Sequence, residues 1–381
     1  MMVLATAASS ASCKKTTSPV EPKQALPAAP AEPALDLARL PEFVDKDLFQ
    51  ALHNIVKRCE VDIHRSEISC NDGYFDNIAL LYRRRMQPRH TAMQTVAYVF
   101  ENGDDKLKTA AAEFLYRALR WPTGTLPDKA TTLKLIGHLG SLPGPQAMDA
   151  APAVAQIAVR AELEDLLFTT LDKVEDRRVA AAGYRHIMAE GRMRVFDKVF
   201  TLAGDKNLEL AVAAVESVRN MGGRTLEENA KVCDWMKELL TDGRPLIETR
   251  AAGILTGCGP KYLELVLASD EKRWAAGKPL NGGLDIYGSV CGSGEKHHYG
   301  APAKAQCGRL KKLATSLLND TKTREADRVQ ALGLLADQFP GKDTLALATR
   351  FADEKEPAAL FRRAQNAVRD LGGAPRPERV E

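Results

Sequence analysis

The sequence predicts an all-α protein in which antiparallel helix hairpins stack into a solenoid. Three observations predict it. Apolar residues recur at the spacing of one helix face through most of the chain. The helical stretches come in pairs joined by short Gly, Asp or Pro turns. The pairs themselves recur: first helices open at Leu163, Val195 and Val232, 32 and 37 residues apart, and again at Leu310 and Leu345, 35 apart. An inexact period of this size marks a helical solenoid.

Taken in order, residues 14–36 are rich in Pro, Ala, Thr and Lys, with Pro at 19, 22, 27, 30 and 33. Such a segment cannot pack a core and reads as a semi-extended tether. Residues 37–89 read as an N-terminal helical cap. Within it Leu48, Phe49, Leu52, Ile55 and Val56 form the face of one helix over 40–59, and a polar loop over 60–73 precedes a second helix from Tyr74 to Met86. Repeats then occupy residues 90–269. Met93, Val96, Ala97 and Phe100 pair with Leu107, Ala110, Ala111, Phe114 and Leu115 across Gly103-Asp104. Trp121-Pro122-Thr123-Gly124 ends this hairpin, Leu133, Ile136 and Leu139 mark the next helix, and Pro152 is expected to start another.

The central hairpins show the unit most clearly. Val232, Trp235, Met236, Leu239 and Leu240 share one helix face. Thr241-Asp242-Gly243 breaks the pattern, Pro245 suits a first helical turn, and Ile247, Ala251, Ile254, Leu255 and Cys258 form the second stripe. The hairpin before it repeats the arrangement with Val195, Phe196, Val199 and Phe200, then Leu208, Ala211, Val212, Val215 and Val218. A turn Asp or Pro followed by a small-residue-rich second helix recurs at Asp176–Ala182, Glu248–Gly253 and Asp327–Leu332. These stretches resemble HEAT-type repeats, including their PBS-lyase-like bacterial subset, over residues 90–373. The resemblance implies a right-handed α-solenoid, a HEAT/armadillo-like superhelix, and says little about function.

Residues 270–306 interrupt the array with a Gly-rich stretch that has no sustained helical stripe, and residues 307–373 resume the repeats before a Pro/Arg/Glu tail at 374–381. Long loops in compact domains are uncommon and often functional. Trp274, Tyr287, His297, His298 and Tyr299 are the candidate partner-binding residues of this insertion, since aromatic side chains often anchor interfaces. No phosphate loop, nucleophile elbow or standard zinc-ligand spacing is present, so no catalytic residue, metal or cofactor is assigned.

Composition narrows the partners. Lys plus Arg number 53 against 50 Asp plus Glu, a net +3 that implies no polyanion-binding surface and no nucleic acid. No run reaches the ~18 apolar residues of a membrane span. The first thirteen residues, MMVLATAASSASC, are similar to the end of a bacterial lipoprotein signal, with Ser10-Ala11-Ser12-Cys13 in place of the lipobox. That resemblance implies lipidation of Cys13, a membrane anchor and residence at the periplasmic face of a bacterial membrane. With Cys13 set aside, six of the seven cysteines remain. Proximity and helix geometry favour Cys59 with Cys70, Cys233 with Cys258, and Cys291 with Cys307, and such bridges persist in oxidising compartments.

The expected function is that of an exported, lipid-anchored, non-catalytic scaffold for a protein partner in the cell envelope. Two rival assignments stay open at this point: an enzyme or metal-binding protein with its site on 270–306, and a cytosolic adaptor with reduced cysteines.

Overall fold

Helix starts follow from side chains that replace missing backbone partners. Asp45, Asp104, Asp128, Asp176, Asn207 and Thr225 each accept a hydrogen bond from a first-turn N–H, at 2.8 to 3.2 Å. The computed structural model describes residues 36–70, 73–84, 89–119, 128–288, 290–292 and 299–374. Cys13, nearly all of the tether, Trp121, His297 and His298 lie outside them. Asp36–Arg39 is one short 3-10 turn closed by an exposed Arg39–Asp36 ion pair.

Among the described residues from Leu40 onward most are α-helical, and the only strands form one small hairpin. Helix α1 (Lys46–Arg58) leads into strands β1 (Glu60–Asp62) and β2 (Glu67–Ser69), then α2 (Tyr74–Arg84), α3 (Arg89–Asn102) and α4 (Asp105–Phe114), which ends in a π-helical turn over Leu115–Leu119. There follow α5 (Lys129–Leu139), α6 (Gly144–Arg160), α7 (Glu164–Lys173), α8 (Arg177–Tyr184), the short α9 (Ile187–Gly191), α10 (Phe196–Ala203) and α11 (Leu208–Ser217). The chain continues through α12 (Leu226–Leu239), α13 (Pro245–Leu255), α14 (Pro260–Ala275), α15 (Lys304–Asn319), α16 (Glu325–Gln338), α17 (Lys342–Phe351) and α18 (Ala358–Asp370).

Several expectations need correction. The polar loop after α1 is a two-stranded antiparallel ladder, Val61 opposite Ile68, closed by the Cys59–Cys70 bridge. Three-residue strands are too short to show alternation. Pro152 does not start a helix. It sits inside α6, whose residues from Gln146 to Val159 are nearly all buried except at Met148 and Asp149. An internal proline costs about 3 kcal/mol, and burial of Ala150, Ala151, Ala153, Val154, Ile157 and Val159 offsets it. Helix α12 opens at Leu226, not at Val232, because Thr225 and Glu228 form a reciprocal capping box. Phe200 and Leu208, expected on buried stripes, are exposed.

Packing is local. Helices pair as α3 with α4, α5 with α6, α7 with α8, α10 with α11, α12 with α13, α15 with α16 and α17 with α18. The second members also pack on one another in succession: α4 on α6, α6 on α8, α8 on α11, α11 on α13, and α16 on α18. Small residues let them approach. Ala180, Ala211, Ala213, Ala214, Ala251 and Ala252 are completely buried. Ala182, expected on this stripe, is only half-buried because Ala180 and Ala181 take the inner positions.

Polar contacts register neighbouring pairs. Glu216 of α11 lies 3.0 Å from Arg185 beyond α8 and 2.9 Å from Arg250 of α13. Lys198 of α10 meets Asp172 of α7, and Arg309 of α15 grips Glu264 and Glu271 of α14. Arg244, in the α12–α13 turn, donates to the carbonyls of Ala203 and Asp205 in the preceding hairpin turn, at 2.6 and 2.9 Å. Exposed pairs of this kind add at most about 1 kcal/mol each. Their consequence is register rather than stability.

Under the disulfide-closed hairpin lies a polar pocket of the core. Gln146 donates to the Ile63 carbonyl and to Thr109 Oγ1, both at 3.0 Å, while Asp149 faces Ser66, Glu113, Arg117 and Glu67. Ser66 lowers the Asp149 pKa somewhat, yet neither Ser66 Oγ nor Asp149 Oδ2 completes a hydrogen bond of good geometry. Burial dominates and pushes the Asp149 carboxyl up to about 7.

Ala251→Leu and Ala211→Leu are expected to overpack and cost about 1–3 kcal/mol in urea unfolding, whereas Ala182→Leu is tolerated. Equal costs at all three positions would show that the small-residue faces are wrongly assigned. For Asp149 the folded state keeps a proton that the unfolded chain releases near pH ~4. Its contribution to stability is therefore complete at low pH and is lost as pH rises through about 7. Asp149→Asn is expected to melt with wild type in acid and above it under mildly alkaline conditions; a constant difference across that range would refute the assignment.

Candidate functional site

The Gly-rich insertion starts later than its composition suggests, and its described residues are tied into the fold at several points. Helix α14 runs on to Ala275, so Trp274 stands on its last turn rather than in a loop. Gly277, at φ +67°, then turns the chain. The following residues lie between α13 and α16, the place that a second helix fills in the other pairs. A 3-10 turn over Leu284–Tyr287 is the only helical structure there among the described residues.

Because this segment is not a helix, its backbone groups need outside partners. Thr249 of α13 and Thr256 at its C-terminal cap donate their hydroxyls to the carbonyls of Asn281 and Ile286, the latter at 2.7 Å. From α16, Gln330 accepts from the Leu284 N–H at 3.4 Å and donates to the Asp285 carboxylate at 2.7 Å, and Gln338 bonds both the Gly288 carbonyl and the Cys291 N–H. Gly283, at φ +68°, permits this approach, since a Cβ there would stand 2.7 Å from Gln330 Oε1.

One buried pair fixes the segment to α14. Asp270 is fully buried and accepts from the Asn281 N–H and the Tyr287 hydroxyl, each at 2.8 Å. Burial raises the pKa of both groups, that of Tyr287 well above its ordinary value with the Asp270 charge adding to the effect. Tyr287 is 0% exposed, so it is an internal anchor and not a partner-binding residue as expected. At the far end Cys291 is bonded to Cys307 in the first turn of α15, with Cα atoms 5.7 Å apart. The Cys233–Cys258 bridge has both sulfurs in the core; Cys233 lies inside α12, not at its start.

Between this segment and the α15–α16 turn opens a pocket of about 480 Å³. Trp274, Pro279, Leu280, Leu284 and Leu317 supply its apolar wall. Charged residues line the remainder: Lys278, Asp320, Lys322, Arg324 and Asp327. Asp320 accepts from the Lys322 N–H at 2.9 Å, and Arg324 pairs with both oxygens of Asp327 at 2.8 and 2.9 Å.

Of the residues singled out in sequence, the structure brings only Trp274 to this pocket. Tyr299 points elsewhere: its hydroxyl donates to the Arg224 carbonyl at 3.0 Å, and the Arg224 guanidinium lies over its ring. His297 and His298 lie outside the described residues. Sequence reasoning missed Lys278, Leu280, Leu284 and Lys322. Nothing local marks them, since Lys322 is remote in sequence and joins the pocket through the packing of α14, α15 and α16. Among the described residues no three His, Cys, Asp or Glu side chains converge so as to hold a metal ion.

No protein-family model matches the chain, and no curated protein is significantly similar to it.

Tyr287→Phe removes a donor from a carboxyl with no access to water. It is expected to cost about 1–3 kcal/mol in urea unfolding, while Tyr299→Phe, whose hydroxyl bonds the carbonyl of the half-buried Arg224, costs less. The reverse order would mean that the Asp270–Tyr287 contact does not hold the segment.

Proposed function

We propose that this chain is an exported, lipid-anchored binding scaffold: a non-catalytic, HEAT-like array that captures a protein partner in the cell envelope. The observation that carries the reading is the set of three disulfides. All six cysteines after Cys13 are paired within the chain, at sequence separations of 11, 25 and 16. Bridges of this kind persist in oxidising compartments and are rare in the cytosol. The pairing leaves Cys13 as the only cysteine without a partner in the chain, after a run of small residues and before the Pro-rich tether.

No helix among the described residues is long and apolar enough to cross a membrane; the attachment proposed is a lipid at Cys13. A single acyl chain binds membranes only marginally, whereas multiple acylation anchors firmly. The succession of second helices supports reading the fold as an α-solenoid of antiparallel hairpins, right-handed as the HEAT resemblance implies, and such a fold has an extended surface suited to a protein partner. The pocket beside Trp274, about 480 Å³ in volume, offers a place on that surface to receive part of it.

The test combines anchoring and capture. Crosslinking in the native envelope is expected to join the wild-type chain to a defined partner, and Cys13→Ser is expected to move the chain from the membrane fraction to the soluble one. Unchanged fractionation would overturn the anchor. Absence of any specific crosslink would overturn the scaffold.

A further inference from the structure

We infer that the pocket beside Trp274 is a socket for one large apolar side chain of the partner, with a carboxylate close to it in the partner's sequence. The inference rests on the scaffold reading and adds the chemistry of what is bound. Four observations carry it.

The first is the wall. Trp274, Pro279 and Leu280 present apolar surface to the pocket, with Leu284 and Leu317 buried beneath them. Burying an aromatic or long aliphatic side chain against such a surface is the usual source of a binding hot spot. The second is the charge of the rim. Lys278, Lys322 and Arg324 stand there against Asp320 and Asp327, three cations to two anions, a net of +1. Asp327 is paired with Arg324, while Asp320 keeps its charge and accepts from the Lys322 N–H. The ammonium groups of Lys278 and Lys322 have no partner among the described residues, and both side chains are exposed. A rim of net positive charge beside an apolar wall is complementary to an apolar group flanked by negative charge.

The third observation is that the pocket is open to solvent. Sites for free small molecules usually enclose about 70–90% of the ligand surface. A pocket open on one side holds a side chain better, because the rest of the partner's chain supplies the remaining contacts. The fourth is rigidity. The wall is tied by the Asp270–Tyr287 contact, by four side chains from α13, its C-terminal cap and α16, and by the Cys291–Cys307 bridge. Little ordering is then left to be done on binding.

The probe is a fluorescein-labelled Ser-Glu-Phe-Asp-Ser peptide, titrated by fluorescence anisotropy with the full chain, disulfides intact. Saturable binding is expected in wild type. It is expected to weaken about tenfold in the Lys278→Glu/Lys322→Glu double variant, as for loss of close charge pairs, and to vanish when the peptide's Phe is replaced by Ala. Both lysines are exposed, so an unchanged melting curve is expected and separates loss of binding from loss of fold. Equal binding of the Ser-Gln-Phe-Asn-Ser peptide, equal binding by the charge-reversed variant, or no saturable binding would overturn the assignment. So would phenylacetate displacing the peptide at equal concentration, which would make the site one for a small carboxylate. Envelope crosslinking keeps the two readings distinguishable. A partner captured equally by wild type and the double variant leaves the scaffold standing and removes the pocket; no partner in wild type removes the scaffold itself.

Discussion

Each helix pair of this protein leaves an apolar face that only the next pair can cover. Helices such as α8 and α11 have eight and ten residues, too short to persist alone in water. Their stability comes from contacts with the preceding and following pairs. This constraint explains the Ala-rich character of the second helices, since backbones stacked in succession must come close. It explains the internal proline of α6, which survives because that helix is surrounded. It also explains why the polar groups at the turns reach forward and back, as Arg244 does to the carbonyls of the preceding turn.

The same constraint governs the segment after α14. A gap between α13 and α16 would expose the apolar faces of both, so something must fill it. The chain fills it with an extended stretch and one 3-10 turn. Backbone groups that a helix would satisfy internally are met by Thr249, Thr256, Gln330 and Gln338, and a buried carboxyl–phenol contact replaces the usual apolar stripe. The pocket is a by-product of this substitution, because an extended stretch covers less of α15 and α16 than a helix would.

Much of this was legible in the sequence. Apolar periodicity located most of the helices, and loop lengths with helix geometry gave all three disulfide pairings. The start of α12 was not seen from periodicity, because its first turn exposes Leu226 at 76% and carries no apolar stripe. The Thr225–Glu228 capping box was the available signal. The candidate site was legible only at Trp274. Lys278 and Lys322 are ordinary surface residues in sequence and meet only after α14, α15 and α16 have packed. Tyr287 looked like a surface aromatic in a Gly-rich loop. Its burial depends on Asp270, an acid that reads as solvated on a polar helix face until the chain turns back at Gly277.

The substituted segment has a mechanical consequence. A row of abutting helices resists bending through interdigitated side chains and through helical hydrogen bonds that do not depend on side-chain identity. Between α13 and α16 the row is joined instead by individual side-chain hydrogen bonds, most of them to backbone, each of which can be lost by one substitution. The Cys291–Cys307 bridge adds a covalent tie between the segment and α15, one that no substitution outside the two cysteines can remove.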